Sequence, residues 1–197
     1  ILNLGLNLKR YKPVFNNKIK HKISISLRSS LNPRKGNQIL IKALEYACLK
    51  QPDLNKKVEF NIVGDSSILE LMTKKEFKCT FKDSIKTEKE LIKFYQKSDF
   101  FLNQSIQDAG PVMVNESLAC GLPVLSFNIG ISKDVIINNF NGFLLNNISE
   151  KNLGNKIIEI SNIKKNLLIK MKNNARKTAI KNFDIKEKAK KILKFIK

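Results

Sequence analysis

The chain has 197 residues, 42% of them hydrophobic, and a formal net charge of +20 at pH 7. That length allows one large domain or two small ones, and the apolar share supports a real core. No apolar run reaches the roughly 18 residues of a membrane-spanning helix, and the opening residues lack the regions of a secretory signal.

Ile1 rather than Met opens the chain, so it is expected to be part of a longer protein. Cys48, Cys79 and Cys120 are odd in number and far apart, and His21 is the lone histidine. Neither a zinc site nor a disulfide framework is expected, and the thiols read as buried or neutral groups in a reducing cytoplasm. The positive charge invites an anionic partner. Nucleic-acid binders usually add Arg and exposed aromatics to their Lys. Here there are four arginines (Arg10, Arg28, Arg34 and Arg176) and no Trp, so no nucleic-acid partner is expected.

Residues 1–20 are irregular and basic and read as a linker or a tail. "ISISL" (23–27) alternates and is β-branched, which predicts a strand. A polar loop follows, then a helix over 38–50 with apolar residues at Ile39, Leu40, Ala43, Leu44, Ala47 and Cys48. Strands are predicted at 58–64 and 78–83, with a short helix between them in "SILELMTKK". Residues 87–98 form a helix capped by Thr87, with Glu90 completing a capping box. A strand at 100–105 is followed by a helix opened by Pro111, where a missing N–H costs nothing. A strand at 123–127, a short helix and a strand at 142–146 complete the alternation. Beyond residue 150 the pattern is helical only, and Leu168, Met171, Ala175 and Ala179 make one apolar stripe.

Alternating strands and helices define an α/β fold: a Rossmann-like parallel sheet with helices on both faces and a helical C-terminal tail. The expected division is a linker remnant over 1–20, one domain over 21–183 and a C-terminal helix over 184–197. Ligands of open α/β sheets lie outside the carboxyl ends of the strands. At those ends stand Arg28, Arg34, Lys35 and Gly36, then Gly64 and Asp65, then Asp108, Ala109 and Gly110 before a helix, then Asn128 and Gly130. Cations, glycine turns and a helix N-terminus suit a diphosphate. The stretch "SIQDAGPVMVNESLACGLPVLSF" is free of Lys and carries two acids, Asp108 and Glu116. A buried helix explains the missing Lys. The acids read either as ligands for sugar hydroxyls or as a turn residue and a partly exposed helix residue.

These residues resemble the C-terminal, donor-binding domain of retaining two-Rossmann-domain (GT-B type) glycosyltransferases of group 1, family four. "DAGPVMVNE" matches the family's two acids eight positions apart, at Asp108 and Glu116. "SLACGLPVLSFNIG", "NPRKGNQILIKAL", "LIKFYQKSDFFLNQS", "NFNGFLLN" and "ILNLGLNLKRYKP" match its other motifs in order, over more than four fifths of the chain. The resemblance implies a nucleotide-sugar donor, with no metal and no cofactor. It implies that Lys35 and Arg28, with Arg34 as alternate, neutralise the diphosphate. It assigns Glu116 to the ribose and Asp108 to the sugar, with the backbone of Ala109, Gly110 and Val112 against sugar and phosphate. The nucleobase would lie around Phe81 to Ser84. The acceptor, a glycan or a lipid-linked molecule, would be held by an N-terminal domain outside this chain. Two departures stand out: the first acid is Asp, and Gly110-Pro111 replaces the usual Phe-Gly.

Rival readings are a non-catalytic nucleotide-binding module, a basic nucleic-acid-binding domain and a nucleotide-sugar epimerase. Residues 164–197 hold twelve Lys and one Arg against Asp184 and Glu187. They read as a solvated face or as a peripheral contact with an anionic membrane, in a cytoplasmic protein.

Overall fold

The computed structural model describes residues 5–14, 22–110 and 112–196. Six strands form one sheet: β1 (Ile23–Ser29), β2 (Val58–Gly64), β3 (Lys78–Lys82), β4 (Phe100–Asn103), β5 (Val124–Phe127) and β6 (Gly142–Leu145). Their order is β3-β2-β1-β4-β5-β6, and every neighbouring pair is parallel. Around the sheet lie α1 (Asn37–Lys50), α2 (Leu54–Lys57), α3 (Leu69–Lys74), α4 (Glu88–Gln96), α5 (Val112–Ala119), α6 (Ser132–Val135), α7 (Glu150–Ser161), α8 (Lys165–Phe183) and α9 (Ile185–Ile196). The chain winds outward from β1 through β2 to β3, then returns to β4 and winds the other way. The direction of winding therefore reverses between β1 and β4, where a crevice opens in such sheets.

Helices cover both faces, so the central strands have no solvated side. One core joins Ile25, Leu27, Phe60 and Ile62 of the sheet to Leu40, Leu44 and Ala47 of α1 and Leu153, Ile157 and Ile160 of α7. The other joins Phe101 and Val124 to Val114 and Leu118 of α5, Ala175, Ala179 and Phe183 of α8, and Tyr95 of α4. The predicted stripe on α8 is buried throughout. Leu168 and Met171 enter the first core, Ala175 and Ala179 the second, so α8 joins the two. The alternating serines of β1 are fully buried as well. They are tolerated because each has a partner: the Ser26 hydroxyl donates to Phe100 O (3.2 Å), and Ser24 Oγ accepts from Asn61 Nδ2 (2.9 Å).

Two local expectations need adjustment. Thr87 Oγ1 does accept the Glu90 N–H (3.2 Å), but Glu90 reaches back to the Lys86 N–H (3.2 Å), one residue before the cap. The basic segment at the start is not merely a tether in its described part: Leu6, Leu8 and Tyr11 are buried against the domain. Leu6 N–H donates to Phe183 O (2.7 Å), and Ile185 N–H donates to Leu6 O (3.2 Å), which ties the segment to the α8–α9 junction. The rest of that segment, 1–4 and 15–20, and Pro111 as the opener of α5 lie outside the described residues. Among the described residues no helix is long and apolar enough to cross a membrane.

Candidate functional site at the crevice between β1 and β4

Two loops meet where the winding reverses. The loop after β1 carries a single 3-10 turn, Pro33–Lys35, and ends at Gly36. Gly36 has a φ of +78°, and a Cβ there would overlap the carbonyl oxygen of Gln104 after β4. Glycine is thus required on two counts, conformation and space. The Ile106 N–H also donates to Arg34 O (2.9 Å), so the β1 and β4 loops are held together by backbone. Across this junction the Lys35 ammonium pairs with the Asp108 carboxylate. The other oxygen of Asp108, Oδ1, accepts the Gly110 N–H (3.2 Å), which fixes the turn leading into α5.

A polar network backs these loops. Asn37, at the start of α1, donates from Nδ2 to Ser29 Oγ (2.8 Å) and Ser67 Oγ (3.0 Å), and its Oδ1 accepts the Ser30 N–H (3.3 Å). Gln104 Nε2 donates to Arg28 O (2.6 Å). The ends of β1, β2 and β4 are therefore cross-linked beneath the crevice. Two further glycines allow close approach: Gly64 packs on Ser29 O and Gly130, after β5, on the Asp108 carbonyl.

The predicted cations occupy different depths. Lys35 is partly exposed at the junction, and Arg34 is exposed beside it. Arg28 sits near the end of β1, exposed, with its side chain beside Gly64. Alternation along β1 puts it on the sheet face opposite Leu27, the face that also carries α5. Ala109, Gly110 and Val112 are exposed at the mouth of α5. The first N–H groups of an α-helix have no intrahelical partner, and its dipole is positive at that end.

Glu116 is buried on α5. It is only 8% exposed, so it is not a partly exposed helix residue. Its Oε2 accepts from the Tyr95 hydroxyl (2.8 Å) and its Oε1 from the Tyr11 hydroxyl (3.2 Å). Burial pushes the Glu116 carboxyl up from its ordinary value, while both phenols pull it back down. Burial first, and then the same carboxylate, raises both tyrosines. The structure thus brings Lys35 and Asp108 together at the loops and gives Glu116 a separate, buried setting on α5. Neither tyrosine was singled out from the sequence, nor were Asn37 and Gln104. The one available signal was polarity in apolar company, as in the "NQ" that ends "FFLNQ".

Among the described residues no group of three or more His, Cys, Asp or Glu is placed to hold a metal ion. The three cysteines are free. Burial pushes Cys79 up to about 11 and Cys120 up to about 12, which keeps them as thiols at neutral pH.

A doubly wound parallel domain with an ion pair, glycine turns and a helix N-terminus at its reversal point is an α/β domain of the Rossmann-like class. Residues 10–178 match the family described as glycosyl transferases group 1, and the chain belongs to that family. It is 27% identical over 136 residues to an uncharacterized glycosyltransferase of Methanocaldococcus jannaschii, a match covering 66% of this chain and 36% of that protein. Its fold is that of a glycosyltransferase from Rickettsia africae (TM-score 0.76, 24% identity, 98% of this chain, 55% of that one). It is also that of HepE from Anabaena, solved in complex with UDP-glucose (TM-score 0.73, 20% identity, 98% of this chain, 55% of that one). The chain therefore spans about a third of the length of the curated relative and about half that of the two solved chains.

Proposed function

We propose that this chain is the donor-binding half of a retaining glycosyltransferase that uses a nucleoside-diphosphate sugar. The observation that carries the reading is the meeting of Lys35, Asp108 and the start of α5 at the reversal point of the sheet. In this reading the diphosphate lies over that junction. Lys35 neutralises it, Arg28 or Arg34 adds a second cation, and the N–H groups at the mouth of α5 complete the cradle. Glu116 accepts from the ribose diol and Asp108 from a sugar hydroxyl. The HepE complex with UDP-glucose supports a donor of this kind.

The chemistry asked of these groups is electrostatic. The bond from the anomeric carbon to the diphosphate oxygen breaks, and the electron pair leaves with the diphosphate. Lys35 and the α5 dipole stabilise that charge where it develops. The acceptor oxygen bonds to the anomeric carbon on the face the diphosphate leaves, and its proton passes to the departing diphosphate oxygen. The acceptor, a glycan or a lipid-linked molecule, belongs in this reading to an N-terminal domain outside the chain. No metal or cofactor is assigned a role.

A thermal-shift panel of nucleoside diphosphates, nucleotide sugars and a simple polyanion tests the reading. Ligand present at about 100 times its Kd stabilises the folded state by roughly 2.7 kcal/mol. One nucleoside diphosphate and its sugar should raise the midpoint above the rest. Equal shifts with every polyanion, or none with any nucleotide, would contradict it.

A further inference from the structure

We propose that Tyr95 and Tyr11 are positioning residues that aim the Glu116 carboxylate at the ribose diol, and that Tyr11 makes this aim depend on the seating of residues 5–14. The proposal rests on the ribose role of Glu116 given above and adds how that role is maintained.

A carboxylate has about four lone-pair directions. Tyr95 and Tyr11 take one on each oxygen of Glu116, at 2.8 and 3.2 Å. A cis-diol needs two more, one on each oxygen, which are the number left. Phenols hold the carboxylate in one plane without competing for the sites a diol uses. Without them, a buried carboxylate gains by rotating or by taking up a proton, and either change removes an acceptor.

Each tyrosine is fixed by its own surroundings. Tyr95 is fully buried, and its ring meets Phe101 of β4 edge-on, with centroids 5.8 Å apart. Tyr11 is 6% exposed and belongs to the segment that precedes the domain, 105 residues from Glu116. Its backbone is clamped by α8: Arg176 Nη1 donates to Tyr11 O (2.5 Å) and to Ala119 O (2.7 Å), while Nη2 donates to Leu8 O (2.9 Å). Ala119 is the last residue of α5, the helix that carries Glu116. One guanidinium therefore sets the distance between the helix that bears the carboxylate and the segment that bears the phenol. Movement of that segment withdraws a donor from Glu116.

The test is calorimetry on the 197-residue chain. The tightest of the four ribonucleoside diphosphates is compared with its 2′-deoxy counterpart. The wild type should prefer the ribo form by about tenfold or more, the loss of one charge-assisted hydrogen bond. Tyr95→Phe and Tyr11→Phe should each cut that preference to about threefold or less, while affinity for the deoxy form stays within about twofold. A merely structural tyrosine would weaken both ligands together. If both variants keep the wild-type preference and Glu116→Gln loses it, the positioning roles are wrong and the ribose role stands. If Glu116→Gln keeps it too, or no nucleoside diphosphate binds, both fall. Should Tyr95→Phe not fold, Tyr11→Phe decides by the same ratio.

Discussion

At the scale of single residues, one cation of the proposed donor site already has a partner in the chain. Lys35 is neutralised by Asp108 before any ligand arrives. Both side chains keep some exposure, so the pair adds little to stability, and its importance is as a competitor for ligand. Lys35→Ala should weaken nucleoside-diphosphate binding by about 1.5–3 kcal/mol, the range for a hydrogen bond to a charged group. Asp108→Asn should do the reverse and tighten binding of the diphosphate without sugar severalfold, since Lys35 is released. Calorimetry reads both, and equal dissociation constants in all three proteins would remove Lys35 from the site. Glu116 offers a test by pH. Its folded carboxyl holds a proton more tightly than the ordinary value of 4.5, chiefly through burial. Ionising it therefore opposes folding: the effect is absent at low pH and grows as pH rises from about 4.5 through the raised folded value. Glu116→Gln should accordingly gain thermal stability relative to the wild type as pH rises above about 4.5, while losing nucleotide affinity. Melting curves that stay parallel across that range would show that its protonation is not linked to folding.

At the scale of elements, the clamp around Arg176 makes the opening segment part of the domain. Three carbonyls, those of Leu8, Tyr11 and Ala119, share one guanidinium on α8. Arg176→Met keeps much of the stem but loses all three bonds, and should cost about 2–3 kcal/mol. Amide exchange should then rise first at residues 6–14, ahead of β1 and β4. Unchanged protection there would mean that Leu6 and its bridge to the α8–α9 junction suffice. The elements themselves were largely legible in the sequence, because period two and period 3.6 are local signals. "VEFNIVG" and "QILIKALEYACLK" declare a strand and a helix within one window each, and Thr87 declares a helix start. The Lys-free stretch around α5 was rightly expected to be buried: residues 114–119 are all buried. What no window contains is contact between distant segments. Lys35 and Asp108 are 73 residues apart, Glu116 and Tyr11 105, Arg176 and Leu8 168. Their separate residues could be named as candidates, as Lys35, Asp108 and Glu116 were. The burial of Glu116 and its two phenols comes only from the packing of α4, α5 and the opening segment.

At the scale of the whole molecule, the net charge of +20 far exceeds the few cations of the candidate site. In α9, Lys186, Lys188 and Lys190 stand in the same short helix as exposed Ile185 and Leu193. An anionic membrane attracts such a helix at about 1 kcal/mol per Lys near the surface, and salt weakens the attraction. In this reading the chain sediments with anionic vesicles at low salt, not with neutral ones, and reversing Lys186, Lys188 and Lys190 to Glu abolishes it. Equal pelleting with both vesicle types would reduce these lysines to a solvated face. That surface is distinct from the crevice between β1 and β4, and the two can be separated directly. The decisive measurement is a titration of the isotope-labelled chain with its tightest nucleoside diphosphate, followed by backbone amide resonances. Perturbed amides should cluster at residues 28–36, 64–65, 104–116 and 128–130, the loops that meet at the reversal point of the sheet. Perturbations confined instead to α8 and α9, growing in proportion to ligand charge, would contradict a donor site and leave a basic surface that binds any polyanion.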